Sequence, residues 1–303
     1  MSEARPVCDY EGSNYQTEFW GKGEREYEDR VERIALNALL PKSGRLCLEV
    51  GAGAGRLTPL LAERFDRVVL MDYSRTQMEQ ARARLGDGNG RGHGRLTFVA
   101  ANVYQLPFAP NVFDGATMIR VIHHLTDAPA ALKEIRSVMA SGSFILEFAN
   151  KQNWKAIFRY LLRRQSWSPF TTEPVEFAAL NFDFHPRAIR GWLGEAGFAV
   201  KATRTVSHYR LGMLKRLIPA NILAAADALA QPTGEWAQFS PSVFVKSEVI
   251  GGGKQKEIKK IEEIFVCPNC ESQLSRSGEA MDCFCCGKRW GSKDGIYDFK
   301  EPL

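Results

Sequence analysis

The sequence lacks any apolar run approaching the roughly 18 residues that a membrane-crossing helix needs. Its opening stretch, MSEARPVCDYEG, carries acids early and no apolar segment, so it does not read as a secretory signal and a cytoplasmic location is expected. No internal repeat is visible. Cysteine is almost missing from the first 266 residues, where Cys8 and Cys47 stand alone, while the other five crowd between 267 and 286. In a chain expected in the cytoplasm, such crowding reads as metal binding rather than as a disulfide framework.

Acid is also scarce in one region. The net charge of +5 over 303 residues is modest, but residues 151–216 carry twelve Lys or Arg against four acids. From Lys246 onward bases and acids balance at ten each. The basic middle either faces an anionic substrate, RNA or lipid head groups, or is a solvated surface whose acids lie elsewhere.

What is present alternates. Residues 23–40 place Tyr27, Val31, Ile34, Ala35, Ala38 and Leu39 on one helical face, and Pro41 ends the helix. Short apolar runs at 46–50, 68–71, 96–100, 115–119 and 143–148 read as strands. Helical patterns at 57–65, 77–85 and 128–139 separate them, with a glycine-rich loop at 86–94. Strands and helices alternating at this spacing predict an α/β fold: a parallel, Rossmann-like sheet with helices on both faces. Beyond Asn150 the pattern turns aromatic, basic and helical; a helix at 186–196, a strand at 198–204, a helical piece at 211–230 and a last strand near 240–249 follow. The expected organisation is an N-terminal lid or helix over 1–43 and a main domain over 44–250, with a cap insertion at about 151–216. A glycine- and charge-rich linker over 251–260 then leads to a small cysteine-bearing unit over 261–303.

Residues 46–55, LCLEVGAGAG, form a strand followed by Glu49-x-Gly51-x-Gly53-x-Gly55. Glycines there let the backbone turn sharply and approach a ligand closely. The spacing departs from the dinucleotide form Gly-x-Gly-x-x-Gly. Asp72 ends the next strand, where a carboxylate can accept bonds from ribose hydroxyls. Asn102 and Val103 follow the third strand. The plain alternatives are a strand–helix turn without a ligand and Asp72 as a helix cap.

Taken in order, LEVGAGAG, MDYS, ANVYQLPF, FDGATMIRVIHHL and EIRSVMASGSFILEF resemble the small-molecule class I S-adenosylmethionine-dependent methyltransferases, among them the ubiquinone and menaquinone C-methyltransferases. The resemblance covers about residues 44–150, and more loosely 15–245. It implies that Glu49, Gly51, Ala52, Gly53 and Gly55 cradle the amino-acid end of S-adenosyl-L-methionine. Asp72 would hold the ribose, with Tyr73 and Met78 near the adenine, unless Met78 is plain core. The family usually has Asp at position 102; Asn102 can still accept through its carbonyl oxygen but carries no charge, and Val103 would add a backbone contact. The family's proline–glycine loop is replaced by Ala140-Ser141-Gly142-Ser143, a structural change read as neutral.

His123 and His124 follow the fourth strand, where the methyl group should lie, and either could act as a base or simply form a turn. Arg120 on the same edge would touch the cofactor or an anionic acceptor. The Asn/Asp-Pro-Pro-Tyr signature of adenine and glutamine amino methylation is absent, which counts against those reactions. Tyr10, Tyr15, Phe19 and Trp20 would form a lid over the cofactor or a hydrophobic anchor. Aromatics interleaved with arginines at 151–183 would roof a flat or hydrophobic acceptor, or pack a cap helix.

Two Cys-x-x-Cys turns, Cys267–Cys270 and Cys283–Cys286, can close one tetrahedral Zn2+ site, with Cys285 left unbound. The tail resembles a small zinc-ribbon protein that activates several tRNA, rRNA and release-factor methyltransferases. The leading expectation is a methyltransferase acting on an aromatic, quinone- or lipid-like small molecule. The competing readings are an RNA methyltransferase using the basic cap and ribbon, and a non-catalytic cofactor-binding module.

Overall fold

The computed structural model describes residues 5–13, 25–86 and 95–303. Tyr15, Phe19 and Trp20, and most of the glycine-rich loop at 86–94, lie outside the described residues. Helix α1 (Glu26–Leu39) buries Tyr27, Val31, Ala35 and Leu39 as its periodicity predicts. It also buries Glu28 and Glu32, while Ile34 is exposed. The buried stripe is therefore rotated toward partners that hydropathy alone does not reveal.

The main unit runs β1 (Gly44–Val50), α2 (Thr58–Ala62), β2 (Phe65–Asp72), α3 (Arg75–Leu85), β3 (Leu96–Ala100), β4 (Phe113–Met118), α4 (Ala128–Val138) and β5 (Met139–Ala149). These five strands pair in parallel in the order β3-β2-β1-β4-β5. Both faces of β1 are covered: Leu46, Leu48 and Val50 enter one core and Cys47 the other. That explains the continuous apolar run, since a parallel strand has no solvent face on which to alternate. Helices start where side chains replace missing backbone partners. The Ser74 hydroxyl accepts from Gln77 N–H at 3.2 Å, and the Asp127 carboxylate accepts from Ala130 N–H at 3.0 Å.

The second half adds α5 (Trp154–Leu161), a hairpin β6 (Val175–Ala178) and β7 (Asn181–Asp183), then α6 (Pro186–Glu195), β8 (Phe198–Val206), α7 (Gly212–Leu217), α8 (Ala220–Ala230) and β9 (Ser242–Val249). Strand β9 inserts antiparallel between β5 and β8, so β8 runs parallel to β5.

The tail forms an antiparallel meander, β10 (Ser275–Ser277), β11 (Ala280–Asp282), β12 (Arg289–Lys293) and β13 (Ile296–Asp298). Strand β13 pairs in parallel with β3, through Ile296–Phe98, Tyr297–Val99 and Asp298–Ala100. Among the described residues the result is one sheet of 11 strands, and the β3 edge is covered. Phe265, Trp290, Tyr297 and Phe299 share a core with Val99, Phe108 and Phe113. Residues 251–260 pack on the domain: Gln255 bonds Arg45 and the Val112 carbonyl, and Lys256 N–H donates to the Asn111 carbonyl at 2.9 Å. Among the described residues, no helix is long and apolar enough to cross a membrane.

Candidate cofactor cleft and cysteine cluster

Connections from β1 and β4 leave in opposite directions, which opens a crevice at the carboxyl ends of the strands. The glycine turn lies at this point. Gly51 has φ +66°, and a Cβ there would stand 2.1 Å from Val121 Cγ2. Gly53, at φ +53°, donates its N–H to Asp72 Oδ2 at 2.9 Å, while Ser74 N–H donates to Oδ1 at 3.0 Å. Burial pushes the Asp72 carboxyl above its ordinary value, against the pull of these N–H groups. Glu49 accepts from the Thr58 hydroxyl at 2.6 Å. Burial raises it to about 7, opposed by that bond and by the charges of Arg56 and Arg84.

The cleft encloses about 1090 Å³ including its open mouth. Of the residues singled out in the sequence, Tyr10, Glu49, Gly51, Ala52, Gly53, Asp72, Tyr73, Val103, Arg120 and His124 line it. Four others do not. Gly55 packs beneath the turn beside Leu85 and Thr58. Met78 is fully buried in the core between sheet and helix. Asn102 turns its oxygen onto Tyr104 N–H at 2.9 Å. His123 is half-buried, and its buried Nδ1 has no hydrogen-bond partner among the described residues. Burial, with the neighbouring charges of His124 and Arg120, holds its pKa well below the usual imidazole range.

The two histidine rings lie 4.2 Å apart between centres, yet only His124 lines the cleft. His124 Nδ1 donates to the Leu180 carbonyl at 2.9 Å, which leaves Nε2 as the acceptor nitrogen. The Tyr10 hydroxyl lies 3.3 Å from that Nε2. Burial lowers the His124 pKa despite the Leu180 bond, so the ring is neutral near pH 7. The Leu180 carbonyl, in the β6–β7 turn, is where the region at 151–216 touches this edge; none of that region's residues lines the cleft.

Arg120 sits in the left-handed backbone region at φ +61° and bonds Glu32 of α1. Its own N–H donates to Glu147 Oε2 at 2.9 Å. Arg56 bonds the other Glu32 oxygen at 2.6 Å and also reaches Asp29. Burial alone would raise Glu32, but the Arg120 and Arg56 charges outweigh it and hold the carboxyl below its ordinary value. This network fixes α1 over one wall of the cleft and explains why α1 buries two glutamates.

Sequence reasoning missed Gln77, Arg56, Val7 and Cys8 at the cleft. Gln77 Nε2 donates to the Ser13 carbonyl at 3.0 Å, while its Oε1 is buried with no partner among the described residues. An unsatisfied acceptor facing a cleft is suited to a ligand hydroxyl. The Ser74-x-x-Gln77 capping pattern was the available signal. Residues 5–13 lie along the cleft and are pinned by Glu11, which accepts from Arg75 N–H at 2.9 Å, Thr76 N–H at 3.0 Å and Lys300 Nζ at 3.1 Å. Against the raising effect of burial, the Thr76 hydroxyl, Lys300 and these N–H groups lower Glu11 to about 2. Lys300 Nζ also stands 5.5 Å from the centre of the Tyr73 ring, so the C-terminal unit touches the cleft wall.

At the far end, Cys267, Cys270, Cys283 and Cys286 place their sulfurs within 4.8 Å of one another. The Cys267–Cys286 and Cys270–Cys283 separations are 3.6 and 3.4 Å. Four thiolates on an ion at about 2.3 Å would stand roughly 3.8 Å apart, so the cluster fits a tetrahedral metal. Cys285 is exposed and outside it.

Residues 48–146 match the family model of a methyltransferase domain. With the strand order, this match places residues 48–146 in a Rossmann-like α/β fold that is similar to methyltransferase domains. The chain is 35% identical over 127 residues to a 2-phytyl-1,4-naphtoquinone methyltransferase of Trichormus variabilis, covering 40% of this chain and 55% of the relative. It is 26% identical over 209 residues to a demethylmenaquinone methyltransferase of Clavibacter sepedonicus, covering 65% and 83%. The match spans only about half the length of the first of these relatives. An S-adenosylmethionine-dependent methyltransferase structure from Thermotoga maritima shares the fold with a TM-score of 0.51 at 20% identity, covering 77% of this chain and 95% of that one.

Proposed function

We propose that this protein transfers a methyl group from S-adenosylmethionine to a small aromatic, quinone- or lipid-like acceptor. The observation that carries the reading is one cleft that joins the glycine turn, the Asp72 carboxylate, the unpartnered Gln77 oxygen and the His124 ring. The quinone-type acceptors in the names of the two relatives support the acceptor class.

Glu49 with Gly51, Ala52 and Gly53 would hold the amino-acid end of the cofactor. Asp72 and Gln77 would take the ribose hydroxyls, with Tyr73 and Val103 beside the adenine. Met78, Gly55 and Asn102 act from behind, by shaping the turn and the core. Arg120 is tied to Glu32 and holds the wall. Bound there, the cofactor supplies a methyl group on an already activated sulfonium, so the protein's task is alignment and exclusion of water. His124 Nε2 would take the proton that the acceptor atom loses on methylation. Tyr10 shields that nitrogen until the acceptor enters.

The four clustered cysteines hold one structural Zn2+, and residues 261–303 act as a zinc ribbon built onto the β3 edge. Residues 44–250 form the catalytic unit, with 5–13 and α1 closing one side.

The test is incubation with methyl-labelled cofactor and either a lipid and quinone extract or total RNA. Label should enter an organic-extractable product. Label that enters RNA and disappears with RNase overturns the acceptor class, and absence of any transfer despite cofactor binding reduces the protein to a binding module.

A further inference from the structure

Helix α5 carries its apolar residues on the wrong side for a folded core. Only Ala156 and Ile157 turn inward. Trp154, Phe158, Leu161 and Leu162 are 55%, 58%, 65% and 61% exposed. At 100° per residue, Leu161, Trp154, Phe158 and Leu162 form a continuous outward stripe, with Lys155 and Arg159 along its flank. Trp154 is braced from one side by the Phe239 ring at 4.6 Å, and Phe170 lies edge-on to Tyr160 at 6.1 Å. From Lys155 to Thr172 the chain contains four bases, all exposed, and no acid.

A second segment repeats the composition. Leu211, Met213 and Leu217 on and beside α7 are 57%, 69% and 73% exposed, next to the exposed Arg216. Helix α5 follows the carboxyl end of β5, and α7 follows that of β8, which runs parallel to β5. Both apolar–basic segments therefore leave the same edge of the sheet as the cleft.

We propose that α5 and α7 form a docking face for an anionic lipid bilayer. Exposed Trp, Phe and Leu beside Lys and Arg are what an interfacial helix needs, since rings and aliphatic chains enter the boundary of headgroup and acyl chain while bases meet anionic headgroups. Charge complementarity selects this occupant: an uncharged apolar partner leaves the acid-free run of bases unanswered, and a nucleic acid leaves the outward leucines unanswered. Docking here turns the cleft edge toward the bilayer. The inference rests on the surface itself and does not require the acceptor's identity.

The full-length protein is tested by flotation with vesicles of phosphatidylcholine alone and of phosphatidylcholine with a minority of phosphatidylglycerol. It should float with the anionic vesicles, remain below with the neutral ones, and be released by salt. Phe158→Asp with Leu161→Asp should abolish flotation, and Lys155→Ala with Arg159→Ala should weaken it by about tenfold or more. All four side chains face solvent, and an unchanged melting temperature and product affinity show that the variants are folded with an intact cleft. The proposal is overturned if the wild type ignores anionic vesicles or if the Asp variant binds them equally well. It is also overturned if sedimentation shows a dimer that the Asp variant dissociates, which would assign the face to a second copy. Loss of vesicle binding with methyl transfer intact, or the reverse, separates this face from the reading of the cleft.

Discussion

Near pH 7 the empty cleft should hold Glu49 about half protonated, because burial raises that carboxyl to about 7 from an ordinary 4.5. Binding a cationic amino group beside it favours the ionised form, so cofactor or product affinity should rise with pH. If only the ionised form binds well, the apparent affinity is about tenfold weaker at pH 6 and about a hundredfold weaker at pH 5 than at pH 8. Stability runs the other way. The folded pKa lies above the unfolded one, so the cost of ionising Glu49 is absent below about 4.5 and complete above about 7. That cost is about 3 kcal/mol for the empty protein. Glu49→Gln keeps the shape and the Thr58 contact but removes the charge. It should stabilise the empty protein at pH 8 and weaken product binding, leaving much less pH dependence. The assay is calorimetry with the demethylated product between pH 5 and 8, in buffers of different ionisation enthalpy, with about half a proton released per binding event at pH 7. Asp72 is also raised by burial, and its charge adds to the upward push on Glu49, so the difference between wild type and variant reports Glu49 together with its coupling to Asp72. Affinity that is flat with pH in the wild type, or an unchanged slope in the variant, refutes the reasoning.

Asp72→Ala removes the acceptor of the Gly53 and Ser74 N–H bonds and of the expected ribose bonds, and should weaken product binding tenfold or more by calorimetry. His124→Asn should lower the methyl-transfer rate by roughly a hundredfold while leaving product affinity within about twofold, as measured by steady-state kinetics beside calorimetry. Elemental analysis should find one zinc per chain, lost in Cys286→Ser and retained in Cys285→Ser; the opposite pattern would show that the ligand choice was wrong. Lys300→Met removes an exposed bond to Glu11 and should weaken product binding by no more than about fivefold, whereas Glu11→Ala, which also frees the start of α3, should weaken it further.

The order of strands and helices was legible in the sequence because each carries its own signal. The apolar runs of β1 to β5 are continuous where both faces are covered, and Ser74, Asp127 and Pro41 punctuate the helices. The glycine turn and Asp72 were legible because only a few residue types can occupy a left-handed turn or a buried acceptor position, and the two Cys-x-x-Cys turns because their local spacing already brings each pair together. Long-range placement was not. Which histidine faces the cleft depends on the Leu180 carbonyl, 56 residues away in the chain. The buried glutamates of α1 make sense only beside Arg56 and Arg120, because burial of a charge is tolerated where its partner is fixed nearby. Gln77 shows no signal beyond its capping position until the cleft exists around it. The tail reads in sequence as an appended ribbon, yet its last strand pairs with β3 in the sheet and its Lys300 reaches the Tyr73 wall of the cleft. Local conformation follows from local residue choice; which elements share an edge is decided by the pairing of backbone groups and apolar faces far apart in the chain, and that is available only to the folded molecule.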